Sequence, residues 1–186
     1  MNKQELANKI WESANKMRSK IEANEYKDYI LGFIFYKFLS EKEEQFFLDN
    51  DMDRESMKSY LREEESDTVR WAQQEIGYFI SYDHLFSVWL AQERDFDIAS
   101  VRDALSAFGR LIAPNCKRLF EGIFDTLETG LSKLGTTAAQ QTKAARELIH
   151  LIDDIPMDNK QGYDVLGYVY EYLIQNFAAN AGKKAG

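Results

Sequence analysis

Residues 26–47 read Tyr26-Lys-Asp-Tyr-Ile-Leu-Gly-Phe-Ile-Phe-Tyr-Lys-Phe-Leu-Ser-Glu-Lys-Glu-Glu-Gln-Phe-Phe47. From Ile30 to Leu39 this run is apolar almost all the way round a helix, which places it at the centre of a bundle rather than on its surface. Lys37 cuts the densest part, Tyr29 to Tyr36, well short of the roughly 20 apolar residues that a membrane span needs. A buried core helix follows, and neither a transmembrane helix nor a signal peptide is expected.

Outward from this helix the same three-and-four spacing continues, and the chain has only two prolines, Pro114 and Pro156. The expected fold is all-α, a single helical bundle domain. Before the central helix, Leu6, Ile10, Ala14, Met17 and Ile21 form one stripe. After it, Asn50-Asp51 offers a cap for a short helix through Met57, Tyr60 and Leu61. Ser66-Asp67 opens another, which Gly77 stops. Tyr78-Phe-Ile-Ser-Tyr82 is aromatic and β-branched and reads as a short extended arm or hairpin strand.

Asp83 then caps a helix over His84 to Gln92, and Glu93 to Asp97 reads as a polar loop. Ser100 with Asp103 resembles a capping box for a helix through Ile112, ended by Ala113-Pro114. One helix is expected from Asn115 through Leu119, Phe120, Ile123, Phe124 and Leu127, and another from Thr137 through Leu148 to Ile152. Asp164 opens the last, with Val165, Tyr168, Tyr172 and Phe177 along its buried side. Tyr170 and Tyr163 lie on a second side, so this helix is either central in the bundle or an interface with a further domain. Residues 1–178 are expected to form the helical domain, and residues 179–186 the start of a linker.

The formal charge is −8, and all the excess acid lies before residue 101. Residues 41–67 hold 11 acids against 4 bases. Such a run reads first as a solvated face and second as a docking surface for a basic partner. One cysteine, Cys116, and two histidines, His84 and His150, exclude a disulfide framework and a Cys/His zinc cage within one chain. That usage suits the reducing cytoplasm.

Catalytic constellations are thin. Glu147-Leu-Ile-His150 has the spacing of di-iron bundle ligands, but the second pair such a site needs is missing, because Ser81 stands three residues before His84. Cys116 has Lys117 and Arg118 beside it and no histidine near it in sequence. No catalytic residue and no metal site are expected. Basic residues cluster modestly, Lys9, Lys16, Arg18, Lys20 and Lys27 early and Arg110, Lys117 and Arg118 later. With a pI of about 4.9, the chain alone should hold duplex DNA weakly, since affinity rests on several cations facing the phosphates.

Two stretches carry a family resemblance. Glu25 to Glu41, preceded by Leu6-Ala-Asn-Lys-Ile-Trp11 and Met17-Arg18, resembles the start of the modification (HsdM) subunit of type I restriction–modification systems. Asp164-Val-Leu-Gly-Tyr-Val-Tyr-Glu-Tyr-Leu-Ile-Gln-Asn-Phe-Ala178 resembles the helix preceding that family's methyltransferase core. The resemblance implies an N-terminal domain of an adenine-N6 DNA methyltransferase that uses S-adenosylmethionine. It also implies a specificity (HsdS) subunit, a restriction (HsdR) subunit and double-stranded DNA as partners, with no membrane involved.

Family members continue into a Gly-x-Phe-Tyr-Thr-Pro segment, an Asp/Asn-Pro-x-x-Gly-x-Gly loop and an Asn-Pro-Pro-Phe/Tyr motif, and none of these occurs here. The last holds the flipped adenine, so this chain alone is expected to bind no cofactor and to be inactive. Lys16, Arg18, Lys20, Lys117 and Arg118 are the expected DNA-backbone contacts, and Tyr168, Tyr170 and Tyr172 the expected packing face for the catalytic domain. The alternative from a different class is a free-standing helical adaptor whose acidic region docks a basic protein.

Overall fold

The computed structural model describes residues 23–154, together with Asn8. The first apolar stripe and the final helix lie outside the described residues. Among the described residues, eight α-helices follow in chain order: α1 (Ala23–Asp49), α2 (Arg54–Tyr60), α3 (Ser66–Ile76), α4 (Phe86–Gln92), α5 (Ile98–Arg110), α6 (Lys117–Phe120), α7 (Asp125–Gly130) and α8 (Ala138–Asp153). Short 3-10 turns punctuate them, and the described residues contain no strand, which makes the domain all-α.

The central helix is the axis of the fold. At 27 residues α1 is roughly 40 Å long, and it packs against α4, α7 and α8. Tyr29, Ile30, Phe33, Ile34, Tyr36, Leu39 and Phe47 are all buried, as the all-round apolar pattern predicts. Gly32 is where α7 comes closest: a Cβ there would stand 2.9 Å from the Leu127 side chain. An aromatic layer fills the centre. Tyr36 stacks on Trp89 at 4.8 Å and meets Phe124 edge-on at 5.5 Å, while Phe108 meets Phe124 at 5.1 Å.

The helix starts differ from the sequence pattern where tertiary partners intervene. Asn50 and Asp51 form the turn that ends α1, with the Asn50 amide donating to the Phe46 carbonyl at 2.7 Å. They are therefore occupied, and Asp53 caps α2 by accepting from the Ser56 N–H at 2.7 Å. Asp97, not Ser100, caps α5. Ser100 lies inside that helix, where its hydroxyl accepts from the Trp89 indole at 3.2 Å. Thr137 caps α8 as expected.

Three expected segments change. The 78–82 run forms no strand; in the connector that links α3 to α4, Tyr78 to Ile80 are irregular and buried, while Ser81 and Tyr82 are half-buried. The helix expected from His84 starts at Phe86, because Tyr82–His84 is a 3-10 turn and Leu85 is extended. The cap comes from another helix: the Phe86 N–H donates to Ser40 Oγ of α1 at 2.8 Å. The single helix expected from Asn115 to Leu127 breaks into α6 and α7 around Gly122, which sits at φ +77°. The break turns Phe124 and Leu127 into the core and leaves Leu119 and Ile123 outside.

Candidate functional site

Among the described residues, no group of three or more His, Cys, Asp or Glu side chains has metal-binding geometry. His150 is exposed on α8 and Glu147 half-buried. Cys116 is half-buried beside Gly77, where a Cβ would approach its Sγ to 2.9 Å. It packs against the hydrophobic core as a small apolar side chain.

Lys117 and Arg118 are exposed on α6, a four-residue helix, beside Leu119, which is 71% exposed, and near Ile123. The result is a small basic and apolar knob. Arg110 of the same sequence cluster is differently engaged: its guanidinium grips Glu63 with two bonds of 3.1 Å, one to each carboxylate oxygen. Lys16, Arg18 and Lys20, and Tyr168, Tyr170 and Tyr172, lie outside the described residues.

Elsewhere on the surface, Leu61, Arg62, Glu63, Glu64, Ser81, Tyr82, Asp83 and His84 line an open cleft of about 580 Å³. Burial draws the His84 imidazole below its ordinary range, against the pull of Asp103, Asp83 and Glu63. The acids of residues 41–67 therefore do two different things. Glu63 and Glu64 are exposed at the cleft, whereas Glu43 and Glu44 are buried. The reading of the run as one solvated face fails at its first turn.

Those buried acids belong to a polar ridge on α1 that sequence reasoning missed. Tyr36, Ser40, Glu43 and Glu44 recur at three- and four-residue spacing, so they share one side of the helix. Each meets the connector or the start of α4. The Tyr36 hydroxyl donates to the His84 carbonyl at 2.8 Å, Glu43 Oε1 accepts from the Ile80 N–H at 2.7 Å, and Glu44 accepts from the Ser87 hydroxyl. In return, the Tyr78 hydroxyl donates to the Leu39 carbonyl at 2.6 Å. Burial pushes the Glu43 carboxyl well above the carboxylate range; the Ile80 N–H opposes this and the Glu44 charge adds to it. The signal was present in the sequence: three polar residues prolong the buried face of a helix that is otherwise apolar all round.

The geometry thus offers interaction surfaces, and known proteins share both sequence and fold with it. The chain is 30% identical to the type I restriction enzyme MpnII methylase subunit of Mycoplasma pneumoniae over 96% of its own length and 36% of that protein. It is 24% identical to the MjaIX methylase subunit of Methanocaldococcus jannaschii over 98% of its length and 32% of that protein. A crystal structure of the type I restriction–modification methyltransferase subunit from Streptococcus thermophilus superposes with a TM-score of 0.79 at 28% identity, covering 96% of this chain and 39% of that one. The chain therefore spans about a third of the length of these relatives. Residues 6–154 match the HsdM N-terminal domain, and the chain belongs to that family.

Proposed function

We propose that this domain is the N-terminal part of the DNA methyltransferase subunit of a type I restriction–modification system, acting in the cytoplasm. The observation that carries the reading is the family match over residues 6–154, joined to a shared fold over nearly the whole chain. In this reading the transferred methyl group comes from S-adenosylmethionine and goes to adenine N6, and the segments that the resemblance assigns to that chemistry do not occur among these 186 residues.

The domain's own work is to embrace DNA beside the catalytic domain and to help assemble the complex with the specificity subunit, to which the restriction subunit adds. Exposed Lys117 and Arg118 support the first task, as a place where duplex phosphates gain cations. The tyrosines at 168, 170 and 172 serve as the packing face toward the catalytic domain.

The test is methyl transfer from labelled S-adenosylmethionine to duplex DNA by the full-length subunit assembled with its specificity subunit. Removing residues 1–178 should abolish assembly and transfer, and unchanged transfer would overturn the reading. Reversing charge at Lys16, Arg18, Lys20, Lys117 and Arg118 should weaken DNA binding of that complex equally across sequences. It should also flatten the salt slope by about 0.9 for each phosphate that is no longer neutralised. An unaltered slope would remove these five residues from the interface. The adaptor reading draws on the exposed acids of residues 41–67, such as Glu64 at the cleft; capture of a basic protein by the chain, with no DNA methylation by the assembled complex, would favour it.

A further inference from the structure

The connector from Gly77 to Leu85 packs Tyr78, Phe79, Ile80 and Leu85 into the core and is also fastened to α1 by polar bonds, one of whose partners is out of balance. Glu43 is 0% exposed. Its Oε1 accepts from the Ile80 N–H at 2.7 Å, while its Oε2 is buried with no hydrogen-bond partner. None of the ion pairs among the described residues includes Glu43. The charge that acts on it from its own helix, Glu44, is of the same sign, and Arg54 of α2 reaches Glu44 at 3.9 Å instead. Toward the connector and α4 the neighbouring groups are neutral: the Tyr36 phenol, the Ser40 and Ser87 hydroxyls and the Ile80 amide.

A carboxylate placed there would hold a full charge out of water with one neutral donor on one oxygen. A carboxylic acid keeps that donor on Oε1 and leaves an uncharged hydroxyl at Oε2, a far smaller cost than a buried unpaired charge. We propose that Glu43 is a neutral carboxylic acid in the folded protein and that its ionisation unfastens the 77–85 connector from α1. The fold thereby carries a pH-sensitive latch.

The direction follows from proton linkage. When the connector opens, Glu43 meets water and regains an ordinary carboxylate pKa; closed, it keeps its proton to higher pH. Opening therefore releases a proton, and the latch loosens as pH rises from about 4.5, up to tenfold per pH unit, until the closed form itself ionises. Three other groups sense the same opening. His84, drawn down by burial, acts in the opposite sense and only below its ordinary pKa. Glu41, pushed up by burial and opposed by Lys37, faces the other side of α1. Tyr36, pushed up by burial, titrates only in strong alkali.

The latch is tested by hydrogen exchange of the Ile80, Tyr82 and Phe86 amides, which bond to Glu43, the Leu61 carbonyl and Ser40. The comparison is the full chain with Glu43→Gln from pH 5 to pH 9, after correction for intrinsic exchange. Gln keeps the acceptor for Ile80 and carries donor hydrogens on the other atom at every pH. The ratio of wild-type to Glu43→Gln opening constants, in which the His84 and Glu41 contributions cancel and Tyr36 does not titrate, should rise at least tenfold across this range. A flat ratio would overturn the proposal. Should the variant fail to fold, the carboxyl carbon shift of Glu43 in the wild type decides alone. A midpoint well above pH 4.5 supports the latch, and one at or below it refutes it.

Discussion

Two segments without long helices lie against each other in this molecule, residues 77–85 and residues 113–124. The Ala113 N–H donates to the Gly77 carbonyl at 2.8 Å, and Phe120 meets Tyr78 edge-on at 5.4 Å. The inner segment buries Tyr78, Phe79, Ile80 and Leu85 almost completely; the outer one exposes Lys117, Arg118, Leu119 and Ile123. The difference shows what an irregular backbone needs before it can be buried. Its N–H and C=O groups must find partners that no helix or sheet supplies. Ser40, Glu43 and Tyr36 of α1 supply them to the inner segment. The outer segment closes short turns of its own, with the Cys116 N–H donating to the Ala113 carbonyl at 2.9 Å and the Glu121 N–H to the Lys117 carbonyl at 2.8 Å, and it leaves Lys117, Arg118 and Leu119 exposed.

This contrast breaks first at Phe79, which is 0% exposed within the inner segment. Phe79→Ala should cost about 3–5 kcal/mol of unfolding free energy in urea. A loss below about 1 kcal/mol would mean that the connector is not part of the core. Gly77→Ala tests the hinge between the segments. Its φ of +92° and a Cβ only 2.9 Å from Cys116 Sγ should together cost about 1–3 kcal/mol by the same measurement. An unchanged midpoint would show that the two segments yield to each other.

A smaller effect is expected at His84. Its folded pKa lies below the unfolded value, so the unfolded chain takes up a proton first as pH falls. This contribution to stability is whole above about pH 6.5 and declines below it. Because Glu43 and Glu41 act in the opposite sense over the same range, the contribution is read as a difference: between pH 7.5 and pH 5.5 the thermal midpoint of wild type should fall relative to that of His84→Gln. Smallest of all, Leu119→Ala should change stability by no more than about 0.5 kcal/mol, because a residue 71% exposed has little packing to give up. A larger change would move the outer segment into the core, and the contrast would fail.

Residue patterns carried the fold far. The all-round apolar run at Ile30 to Leu39 identified the axis of the bundle, and Thr137, Gly77 and the spacing of Leu148 and Ile152 marked α3 and α8. Short-range rules failed where a distant group took over a local task. Ser100 has the spacing of a cap and serves Trp89; Asp83 has the position of a cap for α4, and Ser40 does that work. The basic residues were legible only as positions along the chain. Lys117 and Arg118 are indeed exposed, whereas Arg110 is held by Glu63 from 47 positions away.

The sequence by itself determined the all-α class, the central helix and the family, because helical periodicity and a family's wording are written in consecutive residues. Only the tertiary structure decided that Tyr78 to Ile80 would be an irregular buried connector, that Asn115 to Leu127 would break at Gly122, and that Glu43 would leave water while Glu64 stayed in it. Each of those outcomes depends on whether a group remote in sequence arrives to satisfy a backbone amide or to exclude solvent. A pattern of neighbours carries no record of that arrival.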